Sequence, residues 1–294
     1  MVLARDFQYL PSVTVEAALS AMAGGSRPLA GGTDLVPQLR EGRRSAPGVV
    51  DIKRIPEMLE IRQRSDGGVS IGAAAAATAV ADDPTVRRLY PALADAARLI
   101  GSWQVQNRAT LGGNICNAAP SADAVPALVC YGASVIVASP RGRSVMPLET
   151  VFRGPGRTNL AADALLVAIE LPPPATRTAC HYRRFTPRRE MDIAIAGVAA
   201  LVRFGDDGAI VEARIALASV GPTVLRAKKA EGALIGMSGT ASTVKVAGGL
   251  AAEEAKPISD TRASADYRRT LVRVLTERTL ADGFDVLAKT GAGS

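Results

Sequence analysis

The sequence predicts an α+β protein of two successive folded units, and three observations carry that expectation. Two stretches of alternating apolar and polar residues fold back on turn residues, "LEIRQRSDGGVSIG" around Asp66 to Gly68 and "ASVIVASPRGRSVMPL" around Ser139 to Arg143, which signals antiparallel hairpins. The prolines Pro172 to Pro174 end a strand-like run and continue neither strand nor helix. Beyond them, alternating runs are followed by helix patterns, the order of an antiparallel sheet with helices packed on it. At 294 residues the chain is long enough to bury a real core.

The elements follow in order. "PSVTVEAALSAMAGG" reads as a helix, capped by Ser12 or Thr14, with Val15, Leu19 and Met22 at helical spacing and Gly24 and Gly25 as its stop. "SRPLAGG" and "GVVDIKRI" read as strands, giving a β-α-β-type lobe up to about residue 55. The first hairpin comes next, then a helix over Tyr90 to Ile100, a helical "DAVPALVCYG", the second hairpin and the strand "ALLVAIEL". The boundaries expected are 1–174, divided near 55, then 175–285 and a flexible tail over 286–294. In the second unit "ACHYRRF", "IAIAGVAALVRF" and "AIVEARIALASVG" are strands, and helices start near Arg226, Ser242 and Ser264. The last of these presents Tyr267, Leu271, Val274 and Leu275 on its apolar face.

Composition narrows the function classes. With 48% hydrophobic and 21% charged residues the chain is an ordinary globular protein, and its net charge of +7 is spread along the sequence without interleaved aromatics, which argues against nucleic acid. The charge reads either as a solvated surface or as a basic patch that meets an acidic partner subunit. No apolar run reaches the roughly 18 to 20 residues of a membrane span, and the N-terminus lacks the apolar core of a secretion signal, so a cytoplasmic location is expected. Cys116, Cys130 and Cys180 cannot supply the four thiolates an iron-sulfur cluster usually takes, and Cys116 and Cys130 read as small core hydrophobes. His181 is the only histidine, which excludes a histidine-based metal triad. No paired carboxylates and no activated Ser or Cys stand out, so no catalytic residue is assigned.

Two glycine pairs carry the chemistry that remains. In "LAGGTDLVPQL" the pair Gly31 and Gly32 leads through Thr33 and Asp34 into a helix; in "ATLGGNICNAAPSADAVPAL" the pair Gly112 and Gly113 follows Thr110 and precedes Asn114, with Asp123 opening a later helix. Neither matches a P-loop or GxGxxG. Successive glycines let neighbouring amide N–H groups turn inward as an anion cradle, and a helix start adds its positive end. Either string alone is also an ordinary capped turn. Two cradles, with Asp123 as a hydroxyl acceptor, describe the pyrophosphate and sugar of a dinucleotide.

At this point the motifs "PLAGGTDL", "TLGGNICNAAPSAD", "FRGPGRTNL", "YRRFTPRREMDIA" and "SDTRASADYRR" together resemble the FAD-binding medium subunit of the molybdenum hydroxylases, the family of carbon monoxide dehydrogenase and xanthine dehydrogenase. The resemblance runs from about residue 5 to 283. It implies a two-subdomain FAD-binding fold of the vanillyl-alcohol oxidase (PCMH) type, followed by a small C-terminal α+β domain. It further implies that Pro28, Leu29, Ala30, Gly31, Gly32, Thr33, Asp34 and Leu35 wrap the FAD pyrophosphate and that Thr110, Leu111, Gly112, Gly113 and Asn114 supply the second side. Asp123 falls at the sugar or phosphate region, Ile100 against the isoalloxazine where relatives often carry an aromatic, Leu166 at a backbone contact to the ring, and Arg184 where lysine is common. Those two departures bear on stacking and on the flavin potential.

The activity implied is that of an electron-transfer subunit of a heterotrimeric oxidoreductase, commonly a dimer of heterotrimers. A large subunit holds the molybdenum cofactor, a small one two [2Fe-2S] clusters, and non-covalently bound FAD passes electrons to an external acceptor. The basic surface is then a docking face for the small subunit. A stand-alone flavin reductase resembling UDP-N-acetylenolpyruvoylglucosamine reductase, or a non-catalytic nucleotide-binding protein whose glycine pairs are structural turns, are the other readings the residues leave open.

Overall fold

The computed structural model describes residues 7–291. Strand β1 (Gln8–Pro11), helix α1 (Val15–Met22), β2 (Arg27–Leu29), α2 (Leu35–Arg40) and β3 (Gly48–Asp51) form the first lobe, a parallel sheet in the order β1-β3-β2. Thr14 caps α1 by accepting from the Ala17 N–H at 3.1 Å, and Val15, Ala18 and Met22 turn its buried face onto the sheet. The expected β-α-β lobe is therefore present.

The second lobe is a five-stranded sheet in the order β4-β5-β10-β6-β7, built from β4 (Ile61–Gln63), β5 (Val69–Gly72), β6 (Ser134–Ser139), β7 (Gly142–Pro147) and β10 (Leu165–Leu171). The two expected hairpins are β4-β5 and β6-β7. Between them run α3 (Ala77–Asp82), α4 (Pro84–Leu89), α5 (Pro91–Arg98), α6 (Trp103–Gln106), α7 (Leu111–Asn117) and α8 (Ala124–Cys130). Only α5 and α8 were expected from the sequence. α4 was masked by its length, although Pro84 at its first position and Asp83, whose carboxylate accepts from Thr85 and Val86 at 2.9 Å, are sound start signals. A small hairpin of β8 (Phe152–Gly154) and β9 (Arg157–Thr158) follows β7. Strand β10 carries a bulge at Val167, where the register to β6 shifts between Leu166 and Ala168; the Val167 carbonyl accepts from the Ala73 N–H at 2.8 Å.

The C-terminal unit is the antiparallel sheet β11-β12-β13-β14, from β11 (Thr178–Phe185), β12 (Ala196–Phe204), β13 (Ile210–Ala218) and β14 (Leu225–Arg226), with α9 (Lys228–Leu234), α10 (Ala241–Glu254) and α11 (Ala265–Gly291). Strand periodicity divides β12 between two cores: Ala199 and Leu201 join the core of the first 170-odd residues, while Val198, Ala200 and Val202 pack with Val272, Leu275 and Leu280 of α11. The sheet is thus covered on both faces, which explains its unbroken apolar run. The Cys130 thiol, on α8, donates across this junction to the Ala199 carbonyl at 3.4 Å.

One expectation for α11 is corrected. Its buried face is Leu271, Val272, Leu275, Thr276, Thr279 and Leu280, while Tyr267 is exposed and Val274 only half-buried. The helix runs as far as Gly291; residues 292–294 lie outside the described residues.

Candidate functional site

A cleft of about 590 Å³ brings the two glycine motifs to one place. That volume lies within the range of small-molecule sites. One wall is Pro28 and Ala30 to Leu35, another is Thr110, Gly112, Gly113 and Asn114, and Ile100, Asp123, Leu165, Leu166 and Ile193 line the cleft as well. The motifs are in direct contact at their base: a Cβ on Gly31 would fall 1.8 Å from the Arg108 carbonyl oxygen, so only glycine permits this approach.

The first motif is a true amide cradle. Strand β2 ends at Leu29, whose carbonyl accepts from Ile52 at 3.2 Å, and Gly32 turns the chain with φ +76° before α2 begins. Among the described residues, the successive N–H groups of Gly31, Gly32, Thr33, Asp34 and Leu35 donate to no acceptor in the chain. Amide groups left without partners in a concave site are the arrangement an oxyanion completes. Asp34 stands at the N-cap position of α2 but makes no side-chain capping bond, and burial raises its carboxyl while Arg43 and Arg44 oppose the rise. Because α2 spans only Leu35–Arg40, the N–H groups themselves outweigh any macrodipole.

The second motif differs from expectation. It is the first turn of α7, not a loop: the Thr110 hydroxyl caps it by accepting from Gly113 at 3.0 Å, Gly112 donates to the Ala73 carbonyl at 3.1 Å, and Asn114 donates to the Thr110 carbonyl at 2.9 Å. Its N–H groups at Gly112, Gly113 and Asn114 are therefore already committed within the chain. What it offers the cleft is a close glycine surface and the Asn114 side chain, whose Oδ1 is buried without a hydrogen-bond partner. Leu111 points into the core and does not line the cleft.

Asp123 lines the same cleft, 8% exposed, with both oxygens engaged: Tyr182 donates its hydroxyl to one at 2.8 Å and Arg184 its guanidinium to the other at 2.5 Å. Burial pushes the Asp123 carboxyl up to about 6, against the pull of Arg184 and Tyr182. Arg184 does not itself line the cleft, and its charge is offset by this pair. Leu29 is likewise behind the wall, whereas Ile100 and Leu166 line it directly, the latter beside the bulge in β10.

Sequence reasoning missed several cleft residues. Cys116 and Asn117 follow Gly112 and Gly113 by one helical turn, so recognising α7 as a helix exposes them. Cys116 is not a core hydrophobe: it is exposed through the cleft, although the surrounding protein pushes its thiol up to about 12. Asn117 accepts from the Gln38 side chain at 3.2 Å, bridging the two walls. Arg27 and Arg44 also line the cleft and had no local signal, and Met191–Ile193, within the motif "YRRFTPRREMDIA", line it without having been assigned to the site. Among the described residues, no group of three or more His, Cys, Asp or Glu side chains is placed to hold a metal, and no helix is long and apolar enough to cross a membrane.

Comparison with known proteins agrees with this geometry. Residues 5–174 match the model of the FAD binding domain in molybdopterin dehydrogenase, and residues 181–282 match that of the CO dehydrogenase flavoprotein C-terminal domain. The chain is 33% identical over 281 residues to a xanthine dehydrogenase FAD-binding subunit of Escherichia coli O157:H7, covering 94% of this chain and 96% of that protein. It is 32% identical over 264 residues to the carbon monoxide dehydrogenase medium chain of Hydrogenophaga pseudoflava, covering 90% and 91%. A solved carbon monoxide dehydrogenase from Hydrogenophaga pseudoflava superimposes with a TM-score of 0.92 at 32% identity, over 97% of this chain and 99% of that one.

Proposed function

The chain belongs to the family of FAD-binding subunits of molybdenum-containing dehydrogenases, and from that premise we propose that it is the electron-transfer subunit of a heterotrimeric molybdenum hydroxylase, working between a small [2Fe-2S] subunit and an external acceptor. The observation that carries this reading is the unpartnered run of N–H groups from Gly31 to Leu35 on a cleft closed opposite by α7. A diphosphate satisfies those donors, and the unpartnered Asn114 Oδ1 accepts from a ligand hydroxyl or amine.

Each wall then has a task. Pro28 to Leu35 grip the diphosphate, Gly112 and Gly113 let the cofactor approach the backbone, and Ile100, Leu165 and Leu166 exclude water beside the ring. When bound, the flavin supplies a carrier that takes electrons singly and surrenders them as a pair. Asp123, held by Tyr182 and Arg184, meets the sugar or phosphate region of the cofactor. His181 stands outside both glycine motifs, which supports non-covalent attachment. The substrate chemistry belongs to the molybdenum subunit, and the assembly is a dimer of heterotrimers.

Purification under conditions that preserve complexes tests the proposal. A yellow assembly containing iron, molybdenum and two further chains, whose flavin is released on acid precipitation, is the expected result. A chain that purifies alone and colourless overturns it, and flavin retained on the precipitated polypeptide overturns the non-covalent part.

A further inference from the structure

Two arginines line the cleft without a carboxylate in ion-pair contact among the described residues. Arg27 begins β2 and Arg44 follows α2, so they flank the amide cradle on either side in the sequence, and both line the same cleft. Among the described residues neither forms an ion pair, although most arginines of the second unit do. Arg44 is half-buried, and its acidity is set first by that burial and next by the nearby charge of Arg27, both of which disfavour its cationic form; the neighbouring Asp34 only partly offsets them. Two like charges on one rim cost folding free energy unless an anion joins them.

We propose that Arg27 and Arg44 clamp the nucleotide half of the FAD, so that these two side chains supply much of its affinity and the salt dependence of its binding. This rests on the FAD reading above and deepens it. The amide cradle grips the diphosphate through neutral N–H donors and brings no cation to its charge. The nucleoside beyond the diphosphate extends toward Gln38 and Asn117, whose mutual hydrogen bond at 3.2 Å leaves an amide donor and an amide acceptor for a purine edge. Guanidinium groups match phosphate oxygens in planar, two-pronged geometry, so both charge and shape favour a diphosphate there.

The test uses the full-length chain freed of cofactor, titrated with FAD, FMN, riboflavin and ADP, beside the double variant Arg27→Gln/Arg44→Gln and the conservative Arg27→Lys/Arg44→Lys. We expect the glutamine variant to weaken FAD and ADP by about tenfold or more while riboflavin changes by less than about twofold. Its FAD affinity also becomes less sensitive to salt, and the lysine variant recovers part of the loss. Equal FAD affinity and equal salt dependence in the wild-type chain and the glutamine variant overturn the inference. If the wild-type chain binds ADP but no flavin, the cofactor reading fails while the ADP comparison still decides the arginines; if it binds neither, both fall.

Discussion

Tyr182 donates its hydroxyl to Asp123 at 2.8 Å, joining the C-terminal sheet to the first residue before α8. Arg184, two residues further along β11 and so on the same face, takes the second carboxylate oxygen. Gly197 sits opposite Arg184 in the sheet, and a Cβ there would come within 2.7 Å of the Tyr182 hydroxyl oxygen, so this glycine makes room for the ring. We expect Tyr182→Phe to cost about 1–2 kcal/mol, one buried hydrogen bond to a charged group. Asp123→Asn leaves the Arg184 cation buried without its partner and costs about 3–5 kcal/mol. Urea denaturation of the two variants checks the order.

The same carboxyl has a pH signature. Its folded-state value is raised from 3.8 to about 6, so between those values the folded protein holds a proton that the unfolded chain has released. Stability from this residue is therefore greatest at low pH and falls as pH rises from about 4 to about 6, by at most about 3 kcal/mol, and is flat above. The wild-type chain's stability relative to Asp123→Asn should decline across that window. A difference that is constant with pH, or that grows, contradicts it.

The contact between the two glycine motifs makes a sharper test of the cleft. Gly31→Ala places a methyl 1.8 Å from the Arg108 oxygen, and the backbone on both sides must move apart. We expect FAD affinity to drop by more than about tenfold, with about 1–3 kcal/mol of lost stability from overpacking. Gly249→Ala, in α10 with nothing within 4 Å of the added carbon, serves as the control and should stabilise by about 0.5–1 kcal/mol without touching FAD binding.

Where periodicity is strong, the sequence carried the fold: β4-β5, β6-β7, the strands β11 to β13 and the starts of α9 to α11 all follow from alternation and helix signals. The second glycine motif did not read correctly, because each glycine of the pair opposes helix by about 1 kcal/mol. Tertiary context reverses that preference: the Thr110 cap and the close seat of Gly112 on Ala73, where a Cβ would lie 2.5 Å from a carbonyl oxygen, draw the segment into α7. Arg27 and Arg44 illustrate a different limit. Their meeting on the cleft follows from the return of the chain from α2 to β3, and no local pattern marks a surface arginine as facing a ligand.

The seat of α11 depends on one buried cation. Arg268 is 4% exposed; its guanidinium donates to the Ile195 carbonyl at 2.7 Å, to the Ser219 carbonyl at 3.2 Å and to Asp260 at 2.8 Å. These acceptors lie just outside the adjacent ends of β12 and β13 and ahead of the helix, so one side chain fastens α11 to the sheet whose opposite face carries Tyr182. Asp260 is held down to about 2, first by the Arg262 N–H and then with help from Arg268, so its contribution is present above about 4 and is lost as pH falls from there toward 2. Arg268→Ala leaves the two carbonyls without this donor and should cost about 2–4 kcal/mol. Arg268→Lys carries the charge but not the fork, and recovers only part. Because the loss lies on the face of the sheet away from the cleft, FAD affinity measured on the folded fraction should stay within about twofold of wild type. A collapse of FAD binding at full folding would instead tie α11 to the cofactor site.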